Sequence, residues 1–116
     1  MVCISSITIS EVNMGTANRD RLPPIHPGEI LREEFLAPLG MPAHQLALAL
    51  RVPATRINDI VNEKRGITAD TALRLSRYFG TTSRFWMNMQ ASWELEVAED
   101  RRGNAVMREV LPRTAA

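Results

Sequence analysis

The sequence predicts a single all-α domain of five helices, and three observations support this. Hydrophobic residues make up 45% of the 116 residues, as is typical of a folded chain, whereas aromatic residues make up only 5%. Apolar residues recur at helical spacing in several segments of the chain. Prolines are spaced along the sequence, which favours short helices with tight connections over a β-sandwich.

The first 24 residues show no helical period. Branched apolar residues alternate with Ser and Thr near the start, and a polar stretch that ends in two prolines follows. We interpret residues 1–24 as an extended or flexible arm. Met14 is an alternative natural start, which would leave the first thirteen residues outside the natural chain.

A first helix is predicted from Pro27, because proline suits the first helical position and Glu29 in the first turn favours the helix dipole. Pro38 should end this helix, since the preceding Ala37 is pushed out of the α region. Within it the apolar residues Ile30, Leu31, Phe35 and Leu39 recur at helical spacing.

The next two helices, within residues 43–62, have the spacing of a helix-turn-helix. This motif needs a small residue where the second helix crosses the first, and Ala47 occupies that place. Val52 supplies the apolar residue of the turn, and Ile57 and Ile60 lie one turn apart on the inside of the second helix. These coincident positions predict a DNA-binding motif.

Two more helices complete the predicted domain. Thr68 is the expected N-cap of the fourth helix and Gly80 its stop, and Thr82 or Ser83 should cap a fifth helix that runs to about Asp100. We therefore expect an arm over 1–24, a DNA-binding and dimerisation domain over 25–100, and a basic tail over 101–116.

The outer face of the third helix is the predicted DNA surface. Arg56 is suited to guanine and Asn58 to adenine, and the basic pair after the helix is suited to phosphates. Asp59 would repel phosphate unless a neighbouring Arg holds it or it accepts from cytosine. The predicted DNA-binding residues are Gln45, Pro53, Ala54, Thr55, Arg56, Asn58, Asp59, Lys64 and Arg65.

An ordinary amphipathic helix with a solvated polar face is the alternative interpretation of this segment. The net charge of +1 is too small to indicate a nucleic-acid binder. The charges are segregated along the chain, however. Residues 43–66 carry four basic and two acidic side chains, whereas residues 83–100 carry one basic and four acidic side chains. The packing positions of the motif, and not the total charge, favour DNA binding.

An apolar stripe along the fifth helix predicts a homodimer interface, because two Trp and two Met on this helix exceed what one small domain needs for its own core. A two-fold dimer would place two recognition helices about one DNA turn apart on a palindromic operator. The predicted interface residues are Phe85, Trp86, Met89, Gln90, Trp93 and Val97.

We find no sequence pattern for catalysis, a metal or a cofactor. His26 and His44 are eighteen residues apart with no further ligand at suitable spacing, and Glu33 and Glu34 point to different helix faces. No apolar run reaches the roughly 18 residues of a membrane span, and the single Cys3 excludes an internal disulfide. We expect a cytoplasmic protein that is not an enzyme and has no membrane partner.

Four stretches follow one another in the order "HPGEILREEF", "QLALALRVPATRINDIVNEKRGITADTALRLSRYFG", "FWMNMQASWELEVAED" and "REVLPR". Together they resemble HigA-type antitoxins of the Xre/Cro-like helix-turn-helix group. The resemblance implies a Cro/repressor-like fold in a bacterial type II toxin–antitoxin module. It implies a homodimer that binds double-stranded operator DNA at its own promoter. It also implies that this homodimer neutralises a HigB-like, RelE-fold toxin that cuts mRNA.

The sequence departs from this family at two places. Arg51 stands where Gly or Asn often fills the turn, and Ser83 and Arg84 stand where the fifth helix often begins with Pro and Glu. There are two alternatives to an antitoxin: a stand-alone Xre-family regulator without a toxin, and a helical interaction module without a DNA role. If there is a toxin, we expect the arm, with its β-branched start, to add to it by strand pairing or by wrapping around it.

Overall fold

The computed structural model describes residues 23–114, so residues 1–22 of the predicted arm and residues 115–116 lie outside it. Within the described part the chain forms five helices and no strand, which confirms the predicted fold class. Helix α1 consists of an α-helical turn, a π-helical segment and a last α-helical turn, Pro27–Ile30, Leu31–Leu36 and Ala37–Leu39. The others are α2 (Ala43–Leu50), α3 (Ala54–Val61), α4 (Ala69–Phe79) and α5 (Ser83–Glu109).

One hydrophobic core joins all five helices. Each helix contributes an apolar side chain with no exposed surface or almost none, and the aromatic rings of α1, α4 and α5 close one end of the core. Phe35 lies 4.9 Å from Phe79 and 5.0 Å from Trp86 between ring centroids. The fully buried apolar residues are Leu31, Leu46, Ile57, Ile60, Ala72, Leu75 and Trp86.

The prediction that Pro38 ends α1 at Ala37 is wrong. Ala37 keeps right-handed helical angles, with φ −61° and ψ −48°, and the helix continues to Leu39. The reason lies in the π-helical segment before it, where the N–H of Ala37 donates to the carbonyl of Arg32, five residues back. This wider turn lets the helix continue although Pro38 has no N–H to donate.

Helices α2 and α3 end in the same way, with a left-handed residue other than glycine. Arg51 has φ 62° and Glu63 has φ 63°. After α2 the N–H of Val52 donates to Ala47 at 3.1 Å, and after α3 the N–H of Lys64 donates to the carbonyl of Asp59 at 2.8 Å. Both are Schellman ends, which satisfy the last carbonyls of each helix. Arg51 therefore has the positive φ for which this turn often uses Gly or Asn, and the turn itself keeps its usual form.

The start of α1 packs against the end of α3 at backbone distance. A Cβ atom on Gly28 would lie 1.8 Å from the carbonyl oxygen of Ile60, so only glycine allows this approach. Arg32 secures the same contact, because its guanidinium donates to the carbonyl of Val61 and pairs with Glu63 at 3.3 Å. These contacts fix the end of α3 and the loop that follows it.

Helices α4 and α5 begin as predicted. Thr68 caps α4 by accepting from the N–H of Thr71 at 3.4 Å, and Thr82 caps α5 by accepting from Phe85 at 3.0 Å. Gly80, with φ 75°, ends α4. The predicted end of α5 near Asp100 is wrong, because the helix continues to Glu109 across most of the predicted basic tail.

His26 is buried at the N-cap of α1. Its Nδ1 accepts from the N–H of Gly28 at 2.8 Å, and its ring packs edge-on against Trp93 with 4.6 Å between centroids. Burial lowers the pKa of the His26 imidazole below its ordinary value, although the negative charge of Glu63 opposes this shift. His26 therefore stays neutral in the folded chain at a pH where the unfolded chain takes up a proton.

We expect the free energy of unfolding to fall as the pH is lowered below about 6.5, the ordinary histidine pKa. In that range the unfolded state binds more protons than the folded state, so stability rises with pH. Denaturant titrations between about pH 7.5 and 5 measure this. His26→Asn keeps a capping acceptor and should remove much of the slope, whereas His44→Gln, at an exposed residue of α2, should retain it. An unchanged slope in His26→Asn would contradict this account.

Candidate nucleic-acid interface

The packing of α2 against α3 determines which face of α3 is exposed. Ala47 is 1% exposed, Ile57 and Ile60 have no exposed surface, and Val52 packs partly buried against the same core. These four residues take the places that the helix-turn-helix motif requires. Because the inner face of α3 is fully used, the residues at the other helical positions must face outward.

The outward face contains most of the residues predicted to bind DNA. Pro53 is the N-cap residue of α3, without a side-chain cap, and Ala54 and Thr55 in the first turn are exposed. Gln45 lies exposed in the first turn of α2, on the first helix of the motif. The predicted residues that are exposed are Gln45, Pro53, Ala54, Thr55, Asn58, Lys64 and Arg65, while Arg56 and Asp59 are half-buried.

Arg56 is held by an ion pair that the sequence analysis did not predict. Its Nη1 lies 3.0 Å from Oδ2 of Asp70, in the first turn of α4, and Nε of Arg74 lies 2.9 Å from the same oxygen. Nη1 of Arg74 also donates to the carbonyl of Leu50 at 2.9 Å, at the end of α2. The hydrogen bond from Arg74, followed by that from Arg56, lowers the pKa of Asp70. The network joins α2, α3 and α4.

Asp59 is a carboxylate on the face predicted to meet DNA, where it would repel phosphate unless its charge is compensated. Nη2 of Arg65 lies 3.5 Å from Oδ2 of Asp59, so a neighbouring Arg compensates the carboxylate, as one of the two predicted alternatives required. The two members of the basic pair therefore differ. Arg65 is partly neutralised, whereas Lys64 is exposed and makes no ion pair within residues 23–114.

The second surface of interest is an apolar groove between the start of α1 and the side of α5. It has a volume of about 510 Å³. Phe85, Met89 and Trp93, three residues of the predicted dimer interface, line it together with Ile25 and Ile30. Phe85 is 38% exposed although it is aromatic. The groove thus places predicted interface residues on an open apolar surface.

Three residues of the predicted dimer interface do not line this groove. Trp86 has no exposed surface, and its Nε1 donates to Oγ1 of Thr81 at 2.7 Å inside the same chain. Gln90 is 4% exposed and accepts from the N–H of Ile67 at 2.7 Å. Both side chains face the core of their own domain. The helical spacing of the apolar residues alone does not show which of them face the core and which face the groove. Val97 is half-buried and lies outside the groove.

Comparison with known proteins agrees with this geometry. The helix-turn-helix family model matches residues 31–86. The chain is similar to the structure of a Pseudomonas aeruginosa antitoxin HigA with the higBA promoter, with 49% identity, a TM-score of 0.76 and coverage of 78% of this chain and 99% of that one. The chain belongs to the HigA family of helix-turn-helix antitoxins.

Other relatives of the chain have less specific names. A virulence-associated protein I of Dichelobacter nodosus is 60% identical over 83 residues, which are 72% of this chain and 77% of the relative. An uncharacterized HTH-type transcriptional regulator, YbaQ, of Escherichia coli is 40% identical over 76 residues, 63% of this chain and 67% of the relative. The family consists of helix-turn-helix antitoxins and regulators and is not an enzyme class.

In this HigA-family chain, the residues that the sequence analysis missed are Asp70 and Arg74. Their spacing of four residues on α4 is a pattern for an ion pair, but their link to Arg56 depends on how α3 and α4 pack. Residues 23–114 contain no group of His, Cys, Asp and Glu that could hold a metal ion. In the same range no helix is both long and apolar enough to cross a bilayer.

Proposed function

We propose that the chain is the antitoxin of a bacterial type II toxin–antitoxin module. As a homodimer it binds operator DNA in its own promoter through α3 and represses transcription, and it neutralises a HigB-like toxin of the RelE fold that cuts mRNA. The observation that supports this most strongly is the exposed outer face of α3. It occurs in a chain whose fold matches 99% of the length of a HigA solved with its promoter.

Each part of the α3 face has a different task in this proposal. Arg56 and Asn58 read base edges in the major groove, and the small residues Ala54 and Thr55 allow the helix to approach closely. Lys64 neutralises a backbone phosphate. Arg65 does so less strongly, because Asp59 already compensates part of its charge. Gln45 donates to a phosphate from the first helix of the motif.

The homodimer forms through the α5 groove in this proposal. Phe85, Met89 and Trp93 of one protomer pack against the same residues of its partner, as a two-fold interface requires. Trp86 and Gln90 support the groove from inside the domain and do not touch the partner. Two α3 helices then face successive turns of a palindromic operator.

Two substitutions separate base reading from phosphate binding. We expect Arg56→Ala to reduce the preference for cognate over random DNA by roughly tenfold, because a bidentate base contact contributes about 1–3 kcal/mol of discrimination. Lys64→Ala should weaken binding to both DNAs alike and reduce the slope of log affinity against log salt by about one. Fluorescence anisotropy titrations at several salt concentrations measure both.

The cognate duplex for these titrations is selected by the wild-type chain from a randomised pool, and a scrambled duplex of the same composition serves as random DNA. If each of Arg56→Ala and Lys64→Ala lowers the affinity for the cognate and the scrambled duplex by the same factor, the proposed division between base reading and phosphate binding on α3 is wrong. If the wild-type chain selects no sequence, the proposed operator binding itself is wrong.

Toxin neutralisation is tested separately by co-expression with the protein encoded next to this gene. Rescue of growth from a small basic RelE-fold neighbour supports the antitoxin role. Sequence-specific DNA binding without any toxic neighbour supports the alternative of a stand-alone regulator, for which the similarity to YbaQ of E. coli is the supporting observation.

A further inference from the structure

We propose that Asp70 is a positioning residue for DNA reading: its carboxylate fixes the Arg56 guanidinium at the edge of α3, so that Arg56 reads a base instead of binding phosphates at random. This inference rests on the proposed operator binding and adds a specificity-determining residue outside the helix-turn-helix. The juxtaposition that supports it is the single oxygen, Oδ2 of Asp70, on which the side chains of Arg56 and Arg74 converge.

The carboxylate is itself held in place. Arg74 donates through Nε to Asp70 at 2.9 Å and through Nη1 to the carbonyl of Leu50 at 2.9 Å. Asp70 lies in the first turn of α4, two residues after the Thr68 cap. Asp70 is therefore held by Arg74 of its own helix, and Arg74 is in turn anchored to the end of α2, so the carboxylate can position the side chain of Arg56.

The contact leaves Arg56 able to bind a base. A guanidinium has five N–H donors on Nε and the two Nη atoms, and the described contact with Asp70 uses only Nη1 of Arg56. The edge formed by Nε and the second Nη still presents two parallel donors, as a bidentate contact to guanine requires. The Arg56 side chain is 30% exposed in this arrangement, so solvent reaches part of it.

An Arg without such a support would behave differently. It would sample many rotamers and lose more of that freedom when it bound a base, which weakens the specific contact. It would also meet the dense negative charge of the DNA backbone without a nearby carboxylate to compete for it, which strengthens non-specific contacts. Both effects lower the ratio of cognate to random affinity.

The test compares Asp70→Ala with wild type in anisotropy titrations on the selected duplex and its scrambled counterpart. We expect the ratio of cognate to random affinity to fall roughly three- to tenfold, with random DNA bound as tightly as before or more tightly. Asp70→Glu restores a carboxylate and should recover part of the ratio. The double variant Arg56→Ala/Asp70→Ala should show the same ratio as Arg56→Ala alone, because the two residues act through one contact.

Arg74→Ala is the matched control for a purely structural role. It belongs to the same network and loses the contact with Leu50, but it does not touch Arg56. Because Arg74 holds Asp70, we expect Arg74→Ala to lower the ratio, but by less than Asp70→Ala does, since the Asp70 carboxylate can still contact Arg56. Thermal unfolding shows whether both variants remain folded. A ratio unchanged in Asp70→Ala, or lowered equally in Arg74→Ala, would overturn the inference. Failure of the wild-type chain to discriminate would instead overturn the proposed function.

Discussion

Replacing Gly28 with alanine is expected to lower the free energy of unfolding by about 3 kcal/mol. The new Cβ atom would lie 1.8 Å from the carbonyl oxygen of Ile60 and 2.8 Å from its carbonyl carbon. Both neighbours are backbone atoms at the end of α3, so they cannot rotate away. The helices must separate instead, which also weakens the contact of Arg32 with the carbonyl of Val61. Denaturant titration at a fixed protein concentration measures the loss.

Gly103 provides a matched control on α5. It also lies inside a helix, but a Cβ atom there would have no atom within 4 Å among the surroundings described. Because alanine is a better helix former than glycine, Gly103→Ala should raise stability by about 0.5–1 kcal/mol. The same substitution thus has opposite signs at the two positions. A Gly28→Ala variant as stable as the wild type would contradict the close packing of α1 on α3.

A carboxylate in the α5 groove is expected to convert the proposed dimer to monomers. Ser92 lines the groove and is exposed, so Ser92→Glu leaves the protomer core intact. In the dimer the new charge would be enclosed by apolar side chains beside Glu96, without a basic partner. We expect the dissociation constant of the dimer to rise about 100-fold, or about 3 kcal/mol. Analytical ultracentrifugation over a range of concentrations measures it.

Leu95→Glu is the control for this variant. Leu95 lies three residues further along the same helix, is 61% exposed and does not line the groove. The same new charge at that position should leave the dissociation constant within about twofold of the wild type. Equal effects of the two substitutions, or a wild-type chain that is monomeric at all concentrations, would refute the proposed interface.

The helix-turn-helix could be predicted from sequence because its requirements are local. Ala47, Val52, Ile57 and Ile60 satisfy them within fourteen residues, and the left-handed turn at Arg51 follows from the same motif. Such contacts depend on helical spacing, which a sequence contains directly. The exposed face of α3 then follows by exclusion, since the inner positions are all used.

Contacts between distant segments could not be predicted in this way. The requirement for glycine at position 28 depends on where the end of α3 lies, and the Arg56–Asp70 pair depends on how α4 packs beside α3. The faces of α5 show the same limit. Trp86 and Met89 are both apolar and three residues apart, yet Trp86 is fully buried, whereas Met89 packs partly buried against the core and also lines the groove. Only the packed structure separates them.

The measurement that tests the central claim most directly is an NMR titration of the labelled chain with the duplex it selects. The claim is that the outer face of α3 and the loop after it meet DNA. We predict the largest backbone amide shift changes at residues 54–59 and 64–65, with small changes at residues 98–109 of α5. Changes confined to α1 and α5, with residues 54–59 unaffected, would contradict the claim.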